Sequence, residues 1–154
     1  MNQQKGFTLI ELIIVIVVLG ILAVTAAPQF INFSSDARTA TVRGAQASIQ
    51  GAMQLSYARA LINGTEDAAA ATVTTERGDV DIAFGYPLAT DAAIGFAAGL
   101  NNANEWTAAA DTPAAGSIQY SPEGAPADCY VQYTQATDAT PANAAQVSVV
   151  VTGC

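Results

Sequence analysis

From Phe7 to Ala27 the chain is apolar on every face that a helix would present. This stretch holds about 21 residues, or ~31 Å at about 1.5 Å per residue, enough to cross a hydrocarbon core of about 30 Å. A lone carboxylate, Glu11, stands inside it. An acid within a spanning segment costs on the order of 3 kcal/mol, so Glu11 marks a functional position. After Pro28 the pattern becomes amphipathic: Val42, Ala45, Ile49, Ala52, Met53, Ser56 and Ala60 recur at spacings of three and four and form one stripe. Arg38, Arg43, Gln46, Gln50 and Arg59 fall largely off that stripe. Asn63-Gly64 reads as the stop. Residues 7–62 therefore predict one helix of ~84 Å, apolar all round at first and one-faced afterwards. Pro28 lacks an N–H and predicts a kink, and Ser34, Ser35 and Asp36 can cap or bend the helix locally.

Beyond the helix the hydrophobic period drops to two. The Ala/Thr-rich run Thr65–Thr75 is expected as a surface loop, followed by a turn at Glu76-Arg77-Gly78-Asp79. Val80, Ile82, Phe84 and Tyr86 alternate with Asp79, Asp81, Ala83 and Gly85, a half-buried strand closed by Pro87. Thr90 or Asp91 caps a short helix through Leu100. Strands are expected at Ser117–Tyr120, Cys129–Thr134 and Gln146–Thr152, about four antiparallel strands in all. The fold class is α+β: a long N-terminal α-helix spine packed on an antiparallel β-sheet head.

Charge then narrows the chemistry. Thirteen acids against five bases give −8, which argues against nucleic-acid partners, and the absence of histidine excludes a His-dependent triad or His-ligated metal. No catalytic set and no cofactor site is visible. Glu76, Asp79 and Asp81 allow a Ca²⁺ reading, but alternate residues on a solvent face of a strand explain them better. Asn32-Phe33-Ser34 and Asn63-Gly64-Thr65 match the glycosylation triplet, a frequent chance match. Trp106, Tyr130 and Tyr133 read as packing or subunit-contact residues. Cys129 and Cys154 follow an export-type N-terminus, which suggests one disulfide; its loop of about 25 residues would contribute roughly 3 kcal/mol. A free reactive pair is the other reading, although nothing basic flanks either residue.

The N-terminus admits three readings. In a secretory signal peptide, Lys5 supplies the charge, Leu9–Val24 the apolar region and Ala27 the cut, but Pro28 would then follow the cut and an acid would interrupt the apolar region. A plain anchor explains the length but neither Gly6-Phe7 nor Glu11. The third reading rests on Gly6-Phe7-Thr8-Leu9-Ile10-Glu11-Leu12 after a leader containing Lys5, which resembles the processing motif of type IV pilins, type IVa subgroup, and of pseudopilins. That resemblance implies cleavage after Gly6 by a prepilin peptidase and N-methylation of Phe7. It divides the chain into a leader (1–6), a transmembrane or filament-core half-helix (7–27), an amphipathic half-helix (28–63) and a head (64–154) with a C-terminal disulfide region. It also implies unwinding of the helix between Gly20 and Pro28 on assembly. Physics adds a reason for the arrangement. No lysine or arginine lies between Phe7 and Ala37, so the α-amine freed at Phe7 is the nearby cation available to Glu11, either in the same chain or in a neighbour.

Gly20–Phe30, Asp36-Ala37-Arg38 and Gly85-Tyr86-Pro87 are similar to the major pilins of the mannose-sensitive haemagglutinin (MSHA) type. The function implied is a structural subunit, not an enzyme. It would be made as a single-pass inner-membrane precursor and polymerised with itself, by the inner-membrane pilus assembly machinery, into an extracellular filament for attachment. A type II secretion pseudopilin and a membrane-anchored enzyme or sensor are the alternatives.

Overall fold

The computed structural model describes residues 6–154, without the side chains of 27–32. The chain divides into two compact units, Met1–Ala37 and Arg38–Cys154. Helix α1 (Leu9–Asn63) begins in the first and ends in the second. In the first unit every described side chain from Gly6 to Ala26 is exposed, so this half-helix has no packing partner among the described residues of its own unit.

In the second unit the helix buries the face that the spacing marks out. Val42, Ala45, Ile49, Ala52, Ser56 and Ala60 are all buried, while Met53 is half-buried. The helix stops where a left-handed residue is needed: Gly64 has φ 67°, and Thr65 N–H donates to the Ala60 carbonyl at 2.9 Å.

Seven strands follow, in two antiparallel sheets rather than one sheet of four strands. The first sheet runs β1 (Ala71–Thr75), β2 (Gly78–Ala83), β3 (Tyr86–Pro87). The second runs β4 (Trp106–Ala110), β5 (Ser117–Pro122), β6 (Tyr130–Thr134), β7 (Gln146–Val150). Expecting a loop over Thr65–Thr75 was wrong for its second half. Residues 71–75 pair with β2 in the register Thr72↔Asp81 and Thr74↔Asp79, with Val73 buried between two outward threonines. The two-residue turn Glu76-Arg77 joins them where a turn was expected. The strand expected over residues 80–86 is broken at Phe84-Gly85. Both residues have positive φ (50° and 81°), which turns the chain so that Ala83 faces Tyr86 across a two-residue hairpin. Gly85 is also forced by space, since a Cβ there would lie 2.6 Å from the Tyr57 ring.

Thr90 caps the next helical piece, its hydroxyl accepting from Ala93 N–H at 3.2 Å. That piece is a turn of π-helix, Asp91–Gly95, running into the short α2 (Phe96–Ala98), which ends at Gly99 with φ 74°. One core joins the helix stripe to the second sheet: Val42, Ala45, Ile49 and Ala52 pack with Ile118, Tyr120, Val131 and Tyr133. A second cluster sets Ala60 against Val73, Val80 and Ile82 of the first sheet and Ala93 of the π-turn. The half-helix of the second unit is thus packed on antiparallel sheet, an α+β arrangement.

Candidate functional site

The first candidate site is the start of α1. The helix begins at Leu9, two residues later than the hydrophobic run, because Thr8 and Glu11 close a reciprocal cap. Thr8 Oγ1 accepts from Glu11 N–H at 3.3 Å, and Glu11 Oε2 accepts from Thr8 N–H and Thr8 Oγ1–H at 3.4 Å each. This is a capping box, and the Thr-x-x-Glu spacing that announces it is legible in the sequence although the reading above missed it. The carboxylate at position 11 is therefore partnered within its own chain. Both of its bonds are long, near the limit for a hydrogen bond. Phe7 and Gly6, the residues of the expected cut, lie just outside the helix and are exposed, Phe7 by 88%.

Leu9–Ala26 is long and apolar enough to cross a membrane, with a mean hydropathy of 3.0. A helix apolar on all faces needs lipid or protein around it. The hydroxyl of Thr25 is satisfied inside the helix, donating to the Leu22 carbonyl at 3.0 Å and, more weakly, to that of Ile21. Gly20 has no described neighbour within 4 Å of where a Cβ would stand, so packing within this chain does not require it. Pro28, its expected partner in helix flexibility, has a side chain outside the described residues, and so has Lys5 of the leader.

The second candidate region closes the head. Cys129 and Cys154 form a disulfide, S–S 2.08 Å and Cα–Cα 4.8 Å, across 25 residues. Gly153 N–H donates to the Asp128 carbonyl at 3.0 Å, and a Cβ on Gly153 would collide with the Ala127 carbonyl oxygen. Nearby, the Cys154 carbonyl accepts from Arg38 Nη1 at 3.5 Å.

The remaining sequence candidates take structural roles. Asp79 and Asp81 accept from Thr74 and Thr72 across the β1–β2 pair at 2.8 and 2.9 Å, and no group of three acidic or Cys/His ligands forms among the described residues. Tyr133 is fully buried and donates to the Pro87 carbonyl at 2.6 Å, tying the second sheet to β3. Tyr120, missed in the sequence, is equally buried and donates to Asp91 Oδ1 at 3.3 Å. Burial pushes both phenols well above their ordinary range, with the Asp91 charge adding to the shift at Tyr120 and Tyr86 adding at Tyr133. Trp106 is half-buried against the core, and Tyr130 is half-exposed.

Comparison with known proteins bears on the first site. Residues 1–27 match the prokaryotic N-terminal methylation motif. The chain is type IV pilin-like. It is 54% identical over 44 residues to the type IV major alpha-pilin of Moraxella bovis, a match covering 29% of this chain and 28% of that one. It is 39% identical over 80 residues to a fimbrial protein of Pseudomonas aeruginosa, covering 52% and 49%. The type II secretion system core protein G of Pseudomonas aeruginosa is 40% identical over 54 residues, covering 35% and 38%. The matched segments thus span from about a quarter to a half of the relatives' lengths. No solved structure gives a significant match. The methylation-motif match covers the capped start of the helix and its apolar run to residue 27.

Proposed function

We propose that the chain is the structural subunit of a type IVa pilus, made as a single-pass inner-membrane precursor and polymerised with itself into an extracellular filament for surface attachment. The observation that supports this most is a half-helix exposed on every described face with one carboxylate at its start. Twenty or so apolar side chains, at about 1.5–3 kcal/mol each when fully buried, are ample against the cost of association, and lipid or like helices serve equally as the apolar surround. Because the exchange between them is nearly neutral, extraction falls to the inner-membrane assembly machinery, and specificity falls to Glu11.

In this reading prepilin peptidase cuts between Gly6 and Phe7, and the amine of Phe7 is methylated. The new cation competes for the carboxylate now held by two long bonds from Thr8. The amine brings a full opposite charge, which the Thr8 N–H and hydroxyl do not, so it displaces Thr8 and fixes the register between subunits. Gly20, free of any packing constraint in the described chain, and Pro28 supply the segment that unwinds on assembly. The likeness of Gly20–Phe30 and Gly85-Tyr86-Pro87 to MSHA-type major pilins supports an assignment to that group. The chain acts as a building block and not as a catalyst.

Mass spectrometry of the mature N-terminus tests the processing: methylated Phe7 is expected, and a start at Pro28 or an intact Met1 rejects it. Glu11→Val is expected to leave the protein in the membrane and to reduce sheared surface filaments by at least about tenfold; normal filament yield would reject the role of Glu11. A second reading, a type II secretion pseudopilin, is favoured by the similarity to core protein G. The disulfide-closed C-terminal region speaks for the pilus, and electron microscopy of long surface filaments separates the two.

A further inference from the structure

Charge is segregated along the second unit. Between Arg38 and Asn63 the helix carries three arginines and no acid, whereas from Gly64 to Cys154 eleven acids stand against a single base, Arg77. Arg38 is engaged by the Cys154 carbonyl, but Arg43 and Arg59 are exposed and make no ion pair among the described residues. Arg59 and Arg77 both line a groove of about 490 Å³ between the helix flank at Leu55 and Ile62 and the β1–β2 turn. Glu76 is the one acid among its described lining residues.

The groove is also where the second unit is least covered. Of its described large hydrophobic side chains, those left exposed are Leu55 (69%), Leu61 and Ile62 (75%), and Leu55 and Ile62 line the groove. Apolar surface gathered in one place and edged by charge marks an interaction site. Arg77 is held in position there: its Nη1 donates to the Phe96 carbonyl at 3.2 Å, and it lies against Gly99, where a Cβ would stand 2.6 Å from Nη1.

We infer that this groove, with the arginine-bearing flank beside it, docks the acid-rich head of a second copy of this chain. The inference rests on the self-assembly proposed above. A chain with a net charge of −8 repels its own copies. Repulsion gives way to attraction where one copy presents guanidinium groups and the other carboxylates, and in this unit the two sets belong to different segments. Covering Leu55 and Ile62 adds an apolar gain at the same place. Because the basic face and the acid-rich face are different surfaces, the contact is heterologous. Each docked copy offers its own groove to the next, so the contact extends instead of closing as a symmetric pair. The apolar half-helices select no head orientation, and a charged groove does.

The test places a photo-crosslinking phenylalanine derivative at position 55 or 62 of the full chain, in cells that also make the unaltered chain, and irradiates sheared filaments. The expected product has the mass of two chains, with the crosslink mapped by mass spectrometry to residues 64–154 of the second copy. Arg59→Glu is expected to lower filament yield at least about fivefold with the thermal midpoint of the head unchanged, and Arg59→Lys, which keeps the charge, to retain most of the yield. Should Arg59→Glu misfold, the crosslinks decide alone. Crosslinks that are absent, stay within one chain, or run to residues 7–37 of a neighbour or to a different protein would overturn the inference. So would an unchanged yield from folded Arg59→Glu or an equal loss in Arg59→Lys. With filaments present in the unaltered chain, those results leave the pilus role standing; an unaltered chain that makes no filament rejects that role and this inference together.

Discussion

The two halves of α1 solve opposite problems with one backbone conformation. In residues 9–26 every described side chain is exposed and almost all are apolar. Between Val42 and Ala60 apolar residues are confined to one stripe, and that stripe is sealed against two sheets. The second half completes its core within its own unit. The first completes none among the described residues. Hydrophobic content therefore does not locate the core of this protein; periodicity does, because a one-sided stripe can be satisfied by one sheet and an all-round surface cannot.

Truncating each half distinguishes them most sharply. Ile49→Ala removes a fully buried side chain and is expected to cost about 2–5 kcal/mol of head stability, read as a lower denaturation midpoint. Ile14→Ala, on the exposed half, is expected to move that midpoint by less than about 0.5 kcal/mol. Equal losses would mean that the two halves share a core.

A smaller effect is expected at Gly85, where alanine combines a positive φ with a clash against Tyr57. We expect Gly85→Ala to cost about 1–3 kcal/mol and to leave the micelle-embedded helix intact by circular dichroism.

Alkali should also act on one half alone. Tyr120 and Tyr133 hold their protons in the folded head above the pH near 10 at which the unfolded phenols lose them. The folded state then binds more protons than the unfolded state, so head stability is complete below pH 10 and falls as pH rises beyond it. Tyr133 alone contributes about 1.4 kcal/mol of loss per pH unit. A Tyr133→Phe variant should show a shallower alkaline decline in thermal melts.

The least change is expected at the helix start. Thr8→Ala opens the capping box at a cost of about 0.5–1 kcal/mol, confined to faster amide exchange in the first turn and absent from the head.

What the sequence disclosed follows the same division. The stripe from Val42 to Ala60, the stop at Gly64, the Thr90 cap and the strands at 117, 130 and 146 were legible because each depends on local spacing or a single special residue. β1 was hidden because only Val73 points inward, and Thr72 and Thr74 are polar residues that a loop would equally carry. The break at Phe84-Gly85 was hidden because phenylalanine rarely takes positive φ; stacking of Tyr57 on Tyr86, a contact remote in sequence, holds it there. At the candidate assembly site, Gly6, Phe7 and Glu11 were visible as a motif.

β4 was missed for a reason with a longer reach. It lies at the edge of its sheet, paired on one side only, with four of its five residues exposed and three of them alanine. The turn after it, residues 111–116, is almost as open to water. Past Trp106, which packs on the core, nothing in the core reads the identity of these side chains, so replacements there leave the packed face of β5 untouched. The rim can therefore change its side chains from one variant to the next while the fold beneath it stays the same.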